Sequence, residues 1–316
     1  TQAEANYINK EVPGAGLSAG TMHLTGETAL WYARIRKIDN DFVRTSRQRT
    51  VITALLEKAG LAYALYSDIK PNPTIQNVQE GVAFCQKEGA DLIDIGAQST
   101  RPGFTPVSSS EEWERLRPVL EGLAGELSVP ISIDTFYPDV AERALKAGAH
   151  IINDITGGKE EAMFSIAARY QAGLILMHPG DAADTAQYAG SGDIGQAVHD
   201  FLLAAAEKAL AAGVKTQQIC LDPGIGFGKT MEQNRALLLS KNARVEGYAY
   251  LVGASRKRVT VDACPAPPDQ RVGGTVAAHT LAQLSGADIL RVHDVFEAVQ
   301  AARLTDAVLR ETGFPR

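Results

Sequence analysis

From about residue 60 onward, short apolar runs alternate with amphipathic segments at a nearly constant spacing. A chain in which strands and helices alternate forms parallel strand pairs with right-handed crossovers. The pattern predicts strands at Ala62–Tyr66, Leu92–Gly96, Ile131–Asp134, His150–Asp154, Leu174–His178, Gln218–Asp222, Ala249–Gly253 and Ile289–His293. It predicts helices at segments such as Gln76–Glu88, Glu111–Leu127, Asp139–Ala147, Gly195–Ala212 and Gly273–Leu284. Eight such units in roughly 250 residues predict an α/β fold, a (β/α)₈ TIM barrel, with a doubly wound sheet as the alternative.

A glycine-rich loop follows the predicted strand Gln218–Asp222, in the sequence Cys-Leu-Asp-Pro-Gly-Ile-Gly-Phe-Gly-Lys-Thr at 220–230. Two phosphate-binding patterns resemble it and both fail. A P-loop requires glycine at Pro223, and the dinucleotide-binding pattern requires glycine at Lys229. We expect the loop to be a binding loop of another kind, in which glycine permits tight turns and close approach.

Polar residues stand where the predicted strands end, and in a barrel these positions surround one ligand site. The residues at and just after the strand ends, all polar except Gly96 and Met177, are Asp94, Gly96, Ser99, Thr100, Arg101, Asp134, Asn153, Asp154, Met177, His178, Asp222, Ser255, Arg256, Lys257, Arg291 and His293. An Asp after a strand is usually a helix cap or a turn residue. So many converging polar groups nevertheless indicate a ligand that supplies their partners.

The chemical types at these strand ends form two groups. Asp134, Asn153 and Asp222 can accept hydrogen bonds from the amino and ring N–H donors of a flat heterocycle. The cationic residues Arg101, Lys257, Arg291 and His293 can neutralise an anion, and two of their loops follow the last two predicted strands, where barrels often bind phosphate. The combination predicts a nucleotide-like or pterin pyrophosphate substrate.

Composition restricts the class of protein further. The net charge of −6 over 316 residues argues against a general nucleic-acid partner. The apolar runs are too short to span a membrane, and the three cysteines are too scattered for a disulfide framework. These features predict a reducing, cytoplasmic location with no nucleic-acid or membrane partner. The chain begins at Thr1, so we expect that an upstream part is missing.

Residues 1–59 differ from the barrel pattern and predict a short helical N-terminal extension, with helices at Thr28–Ile38 and Ser46–Ala59. Arginines are concentrated at positions 34–49. They could form a solvated basic face, or an anion site in which guanidinium groups bind phosphate oxygens.

Six segments together resemble the dihydropteroate synthase family over residues 64–312. They are Ile93–Gly103, Ile133–Thr135, Ile152–Asp154, Leu221–Thr230, Gly253–Lys257 and Arg291–Val295. The resemblance implies a transferase of folate biosynthesis, the target of sulfonamides. Such an enzyme condenses 6-hydroxymethyl-7,8-dihydropterin pyrophosphate with p-aminobenzoate, releases pyrophosphate and uses Mg²⁺. Family members commonly form dimers, so a homodimer is expected.

The resemblance also implies roles for individual residues. Asp134, Asn153, Asp222 and Lys257 would hold the pterin ring, Arg291 and His293 would meet the pyrophosphate, and Thr100 and Arg101 would lie beside p-aminobenzoate. Met177, Phe227 and Ser255 complete the implied substrate site, and Lys257, Arg291 and His293 are the implied catalytic residues. Gln98 stands where many members carry Glu. Residues 61–70 depart from the family's first strand, so the first strand and its loop are atypical. They also lack the Asn that binds the metal in the family, so the metal ligands of this chain are unknown.

Residues 14–59 resemble part of the LytR-CpsA-Psr family, with Arg44 and Arg47 as the arginines that would face a lipid pyrophosphate. The sequence thus predicts a helical fragment at 1–59 followed by a pterin-binding barrel at 60–316. Three alternatives to a dihydropteroate synthase-like transferase remain. They are a pterin-binding barrel with impaired catalysis, a methyltetrahydrofolate methyltransferase-type enzyme and, last, a cell-wall glycopolymer transferase.

Overall fold

The computed structural model describes residues 5–6, 9–10, 75–98, 106–123, 127–181, 184, 186–190, 192–262 and 264–312. The chain divides into two compact units, Thr1–Pro73 and Thr74–Arg316. The predicted first strand Ala62–Tyr66, the two predicted N-terminal helices and the predicted boundary after residue 59 lie outside the described residues. They stay predictions.

The second unit contains one parallel sheet whose seven strands are hydrogen-bonded in chain order. The strands are β1 Ile93–Gly96, β2 Ile131–Asp134, β3 Ile151–Asp154, β4 Gly173–Met177, β5 Ile219–Asp222, β6 Ala249–Val252 and β7 Ile289–Leu290. The helices are α1 Ile75–Lys87, α2 Ser109–Leu123, α3 Pro138–Lys146, α4 Ala162–Tyr170, α5 Ile194–Ala211, α6 Met231–Leu239, α7 Val272–Leu284 and α8 Val295–Thr312. Strand and helix alternate as the sequence pattern predicts.

The sheet curls along its length. Arg291, which directly follows the last strand, forms an ion pair with Asp94 on the first, with 3.0 Å between Arg291 Nε and Asp94 Oδ2. Asn153 on β3 also donates to Asp94 across β2, at 3.2 Å. A flat sheet would hold these residues several strand widths apart, because neighbouring strands are about 4.8 Å apart. The described part of the chain is therefore a curled seven-stranded sheet, and an eighth strand stays a prediction.

Predicted and observed strands agree closely. The prediction for β2 matches both ends, and those for β1, β3, β4, β5 and β6 differ by one residue at one or both ends. The predicted strand Ile289–His293 was too long, because the strand ends at Leu290 and the polar residues that follow lie in a loop. The predicted helix Glu111–Leu127 was also misplaced, since α2 spans Ser109–Leu123.

Alternate strand residues face opposite sides of the sheet, which produces two kinds of core. On the side covered by helices, β2 to β6 contribute buried residues such as Ile133, Ile152, Leu176 and Val252. On the concave side, a small cluster consists of Ile175, Cys220 and Leu251 with Ile151 and Ile289 packed against it. Cys220 is thus a core residue, as the sequence predicts, and burial raises the pKa of its thiol to about 12. Among the described helices, none is long and apolar enough to cross a membrane.

Candidate active site

Five polar or sulfur-containing side chains lie on the concave side at the carboxyl ends of the strands. Strand residues two apart share a face. Asn153, Met177 and Asp222 therefore lie on the same side as Ile151, Ile175 and Cys220, residues of the concave cluster. Arg291, directly after β7, reaches the same side, since it pairs with Asp94 and Asp222. Asp94 joins them, since it receives the Asn153 hydrogen bond. The fold therefore gathers these side chains above one apolar floor.

Arg291 lies at the centre of this group. Its Nε is 3.0 Å from Asp94 Oδ2, and its Nη1 is 3.2 Å from Asp222 Oδ2. Burial by itself would lower the pKa of the guanidinium, but the charges of Asp94, Asp222 and Asp134 together raise it. One guanidinium thus links the first and fifth strands of the described sheet and balances charge that would otherwise be costly at a buried position.

Three buried polar atoms in this cluster have no hydrogen-bond partner among the described residues: Asp94 Oδ1, Asn153 Oδ1 and Arg291 Nη2. A buried polar atom left without a partner costs roughly 1–3 kcal/mol. Two of these atoms accept hydrogen bonds and one donates. The site therefore offers acceptors and a cationic donor to a bound ligand.

The glycine loop adopts the backbone that its sequence predicts. Gly224, Gly226 and Gly228 have φ values of +66°, +85° and +65°, a region that side chains disfavour. A Cβ atom at Gly224 would lie 2.1 Å from the carbonyl oxygen of His178. The Gly224 N–H donates to Asp222 Oδ1 at 2.8 Å. This turn orients the Asp222 carboxylate, whose second oxygen faces Arg291.

Lys257 reaches the same loop from the turn after β6. Its Nζ donates to the Ile225 carbonyl oxygen at 2.6 Å and lies 4.7 Å from the centre of the Phe227 ring. Burial lowers the pKa of Lys257 to about 8, although the charge of Asp222 opposes that effect. Lys257, Phe227 and Asp222 therefore form one side of the site.

Ser255 and His293 are also brought together. The Ser255 hydroxyl oxygen accepts from the His293 backbone N–H at 3.1 Å and lies 2.9 Å from His293 Nδ1. Arg256, the residue directly after Ser255, has a left-handed φ of +57°, and its guanidinium pairs with the Asp294 carboxylate. Its backbone N–H donates to Thr275 Oγ1 at 3.0 Å, which ties the turn to α7.

Asp134, at the end of β2, has a pKa raised to about 7, mainly by burial and secondly by the neighbouring charge of Asp94. Gly96 lies beside it, and a Cβ at that glycine would be 3.2 Å from the Asp134 Cβ. Asp134 is therefore a buried carboxyl group that keeps its proton to a higher pH than an exposed aspartate does.

Two residues of the predicted strand-end group face away from the site, so for them the prediction was wrong. Asp154 accepts from the backbone N–H groups of Thr156 and Gly158, at 2.8 and 3.0 Å, and organises its own loop. His178 packs edge-on against Tyr188 and Phe201. Both follow a residue that faces the concave side, so alternation turns them toward the helices. Ser99, Thr100 and Arg101 lie outside the described residues.

Sequence reasoning missed Glu112, a fully buried acid on α2. Its Oε2 accepts from Gln98 Nε2 and Thr135 Oγ1, both at 3.2 Å. Burial raises its pKa to about 7. An acid in the first turn of a helix ordinarily indicates an exposed residue, so no sequence signal marked it. It supports the chain segments that follow β1 and β2.

The burial of His178 predicts a pH effect on stability. Its pKa falls from 6.5 to about 3, through burial first and the charge of Lys229 second. Above pH 6.5 the ring is neutral in both states; below it only the unfolded chain takes up the proton. Its contribution to the free energy of unfolding should therefore fall by about 1.4 kcal/mol per pH unit between roughly pH 6 and pH 4.

The measurement compares urea unfolding of the wild type and His178→Phe at pH 7 and pH 4.5. Other groups titrate in both proteins, so their effects cancel in the difference. We expect the wild type to lose about 2.5 kcal/mol more than the variant over this range, because about two pH units lie between 6.5 and 4.5. If both proteins lose the same free energy of unfolding, His178 takes up its proton in the folded protein as readily as in the unfolded chain.

Comparisons with known proteins agree with this geometry. Residues 74–293 match the family described as pterin binding enzyme, and residues 1–80 match the LytR_cpsA_psr family. The dihydropteroate synthase of Synechocystis is 45% identical over 227 residues, which cover 70% of this chain and 78% of the relative.

Two solved structures share the fold. The Burkholderia cenocepacia dihydropteroate synthase complexed with 7,8-dihydropteroate has a TM-score of 0.70 and 39% identity, covering 76% of this chain and 89% of that one. The Xanthomonas albilineans dihydropteroate synthase with 4-aminobenzoic acid has a TM-score of 0.71 and 38% identity, covering 77% and 88%.

Proposed function

The chain belongs to the pterin-binding enzyme family and is a dihydropteroate synthase-like transferase, and we propose that its concave site condenses 6-hydroxymethyl-7,8-dihydropterin pyrophosphate with p-aminobenzoate. One observation carries the assignment of the site. The cluster of Asp94, Arg291, Asp222 and Asn153 leaves buried acceptors and a cationic donor without partners above an apolar floor. A pterin ring has a matching set of donors and acceptors along one edge.

Pterin recognition would use the acids and the amide. Asp222 can accept from the amino group and the adjacent ring N–H at once, because Gly224 already fixes the direction of its carboxylate. Asn153 has an acceptor without a partner, and Asp134 lies at the neighbouring strand end. Hydrogen bonds to charged groups contribute about 1.5–3 kcal/mol each. Met177 would contribute apolar contact.

The reaction needs charge stabilisation more than a protein nucleophile. The p-aminobenzoate nitrogen attacks the pterin methylene carbon, the bond from that carbon to the pyrophosphate oxygen breaks, and the nitrogen loses one proton. Positive charge develops on the pterin and negative charge on the leaving group. The fixed carboxylates near the ring and the cations of Lys257, Arg291 and His293 would stabilise this separation. Phe227, Ser255 and the loop bearing Thr100 and Arg101 would complete the binding surface.

Mg²⁺ is proposed as the cofactor, supported by the pyrophosphate chemistry. The described residues contain no group of three or more His, Cys, Asp or Glu side chains that could hold a metal ion. Mg²⁺ often binds through few protein ligands together with substrate phosphates. We therefore propose that the pyrophosphate would supply most of the ligands of Mg²⁺, which would offset the negative charge of the leaving group beside Arg291 and His293.

A cytoplasmic location and a homodimer are proposed as well. The three cysteines are free thiols, which suits a reducing compartment. On α8, Leu304 is 67% exposed and Val308 is 49% exposed, which would suit burial against a second copy.

A pyrophosphate-release assay tests the proposed function. We expect the purified chain to release one pyrophosphate for each 7,8-dihydropteroate formed, when supplied with both substrates and saturating Mg²⁺. Omitting p-aminobenzoate should abolish the release. Chelating Mg²⁺ should lower the rate, since the leaving charge is then less well balanced. Pterin binding without any release would instead identify a barrel with impaired catalysis.

A further inference from the structure

Lys229, the residue after the last glycine of the loop, is almost completely buried. Only 2% of its surface is exposed, and it ranks among the largest fully buried side chains. Burying an ammonium group is costly unless it is paired or fully hydrogen-bonded. Burial accordingly lowers its pKa to about 7. A lysine retained at such a position requires a physical reason.

The contacts of its ammonium supply that reason. Lys229 Nζ donates to the carbonyl oxygens of Gly224 and Phe227, both at 3.0 Å. The same nitrogen lies 5.3 Å from the centre of the Tyr188 ring, a cation–π distance. The ammonium therefore binds the loop from inside, joining its beginning to its end. In a P-loop the corresponding lysine points at a bound phosphate, whereas here it points at the loop's own carbonyl groups.

The segment between these two carbonyls carries the contacts of the active site. The Gly224 N–H orients Asp222, the Ile225 carbonyl receives the Lys257 ammonium, and the Phe227 ring lies beneath that ammonium. With three left-handed glycines, this backbone is intrinsically permissive, so its shape must be fixed by contacts. Asn234 provides one more, since its Oδ1 accepts from the Gly226 N–H at 2.6 Å.

We propose that Lys229 is a positioning residue whose buried ammonium holds the glycine loop in the shape that presents Asp222 and Lys257 to the pterin. This inference rests on the proposed function, because it assumes that Asp222 and Lys257 contact the pterin. Without the ammonium, the Gly224 and Phe227 carbonyls lose their shared donor, and the loop relaxes away from Lys257.

The test measures binding of the pterin pyrophosphate by isothermal titration calorimetry, at a temperature where every protein is folded. Lys229→Met keeps the length of the side chain and removes its charge and donors. We expect its Kd to rise about tenfold or more. We also expect the KM for the pterin substrate to rise with it, whereas the KM for p-aminobenzoate changes less than twofold. Lys229→Gln keeps neutral donors, so we expect a three- to tenfold rise.

Asp193→Ala is the matched control. Asp193 Oδ1 accepts from the backbone N–H groups of Gly195 and Gln196, at 2.8 and 3.4 Å, and caps α5 outside the glycine loop. Losing this cap should lower the Tm by about 2–4 °C and leave both KM values unchanged. Asp222→Asn serves as the binding-defective reference.

The outcomes separate the two proposals. Failure of the wild type to bind the pterin would overturn the proposed function itself. If the wild type binds and Asp222→Asn does not, but Lys229→Met binds as tightly as Asp193→Ala, the positioning role is wrong while the function stands. Should Lys229→Met fail to fold, the affinity of Lys229→Gln for the pterin pyrophosphate decides the question. A Kd of Lys229→Gln within twofold of the control variant's Kd would overturn the inference.

Discussion

Asp222→Asn is expected to weaken binding of the pterin pyrophosphate at least a hundredfold. The carboxylate is buried, 3% exposed at its side chain, and is held by Gly224 and Arg291. Asparagine has the same shape but offers only one acceptor and introduces an N–H₂ group where the ligand also donates. Leaving a ligand donor unpaired costs about 1–3 kcal/mol, and losing a charged acceptor costs more. Calorimetric titration with the pterin pyrophosphate measures the change.

Asp154→Asn is the control for Asp222→Asn. Asp154 also ends a strand of the same sheet, but its carboxylate faces away from the site and accepts from Thr156 and Gly158. We expect this substitution to reduce the free energy of unfolding by about 1–2 kcal/mol and to leave the Kd unchanged. Equal affinity losses in both variants would show that the ligand site is misplaced.

Lys257→Met should lower kcat/KM for pyrophosphate release by about two to three orders of magnitude. The glycine loop holds its ammonium through the Ile225 carbonyl oxygen and the Phe227 ring, and the ammonium interacts with the charge of Asp222. Removing one preorganised group that stabilises transition-state charge commonly costs about 2.7–4 kcal/mol. Methionine keeps the aliphatic packing, so steady-state kinetics should report the loss of charge rather than a change of fold.

Lys208→Met provides the matching control. Lys208 is an exposed lysine on α5 whose ammonium is 3.3 Å from Glu161. Exposed ion pairs contribute little, about 0–1 kcal/mol, so its kcat/KM should match that of the wild type. A Lys257→Met variant with more than a tenth of wild-type activity would contradict the catalytic role of Lys257.

Much of the fold follows from local sequence. Short apolar runs that alternate with amphipathic segments predicted six of the seven described strands to within a residue at each end. The glycines of the loop after β5 predicted the left-handed turns that the structure has. The expectation that residues at the strand ends surround one ligand site selected Asp134, Asn153, Asp222 and Arg291, because parallel strands all end at one edge of the sheet. The short helices α4 and α6 were less evident, since nine residues contain little periodic signal.

The sequence by itself determined which residue types stand at the strand ends. It also predicted that they meet, because strands that alternate with helices pair in parallel and end at one edge of the sheet. Only the tertiary structure decided which of two adjacent polar residues faces the ligand. Helix packing on one side of the sheet selects the face, and this turned Asp154 and His178 outward. It also decided that Lys229 points into its own loop and that Arg291 joins Asp94 to Asp222. The Arg291 contacts join residues far apart in sequence and form only when the sheet curls. Lys229 contacts residues two and five positions away, so its direction depends on the folding of the loop itself.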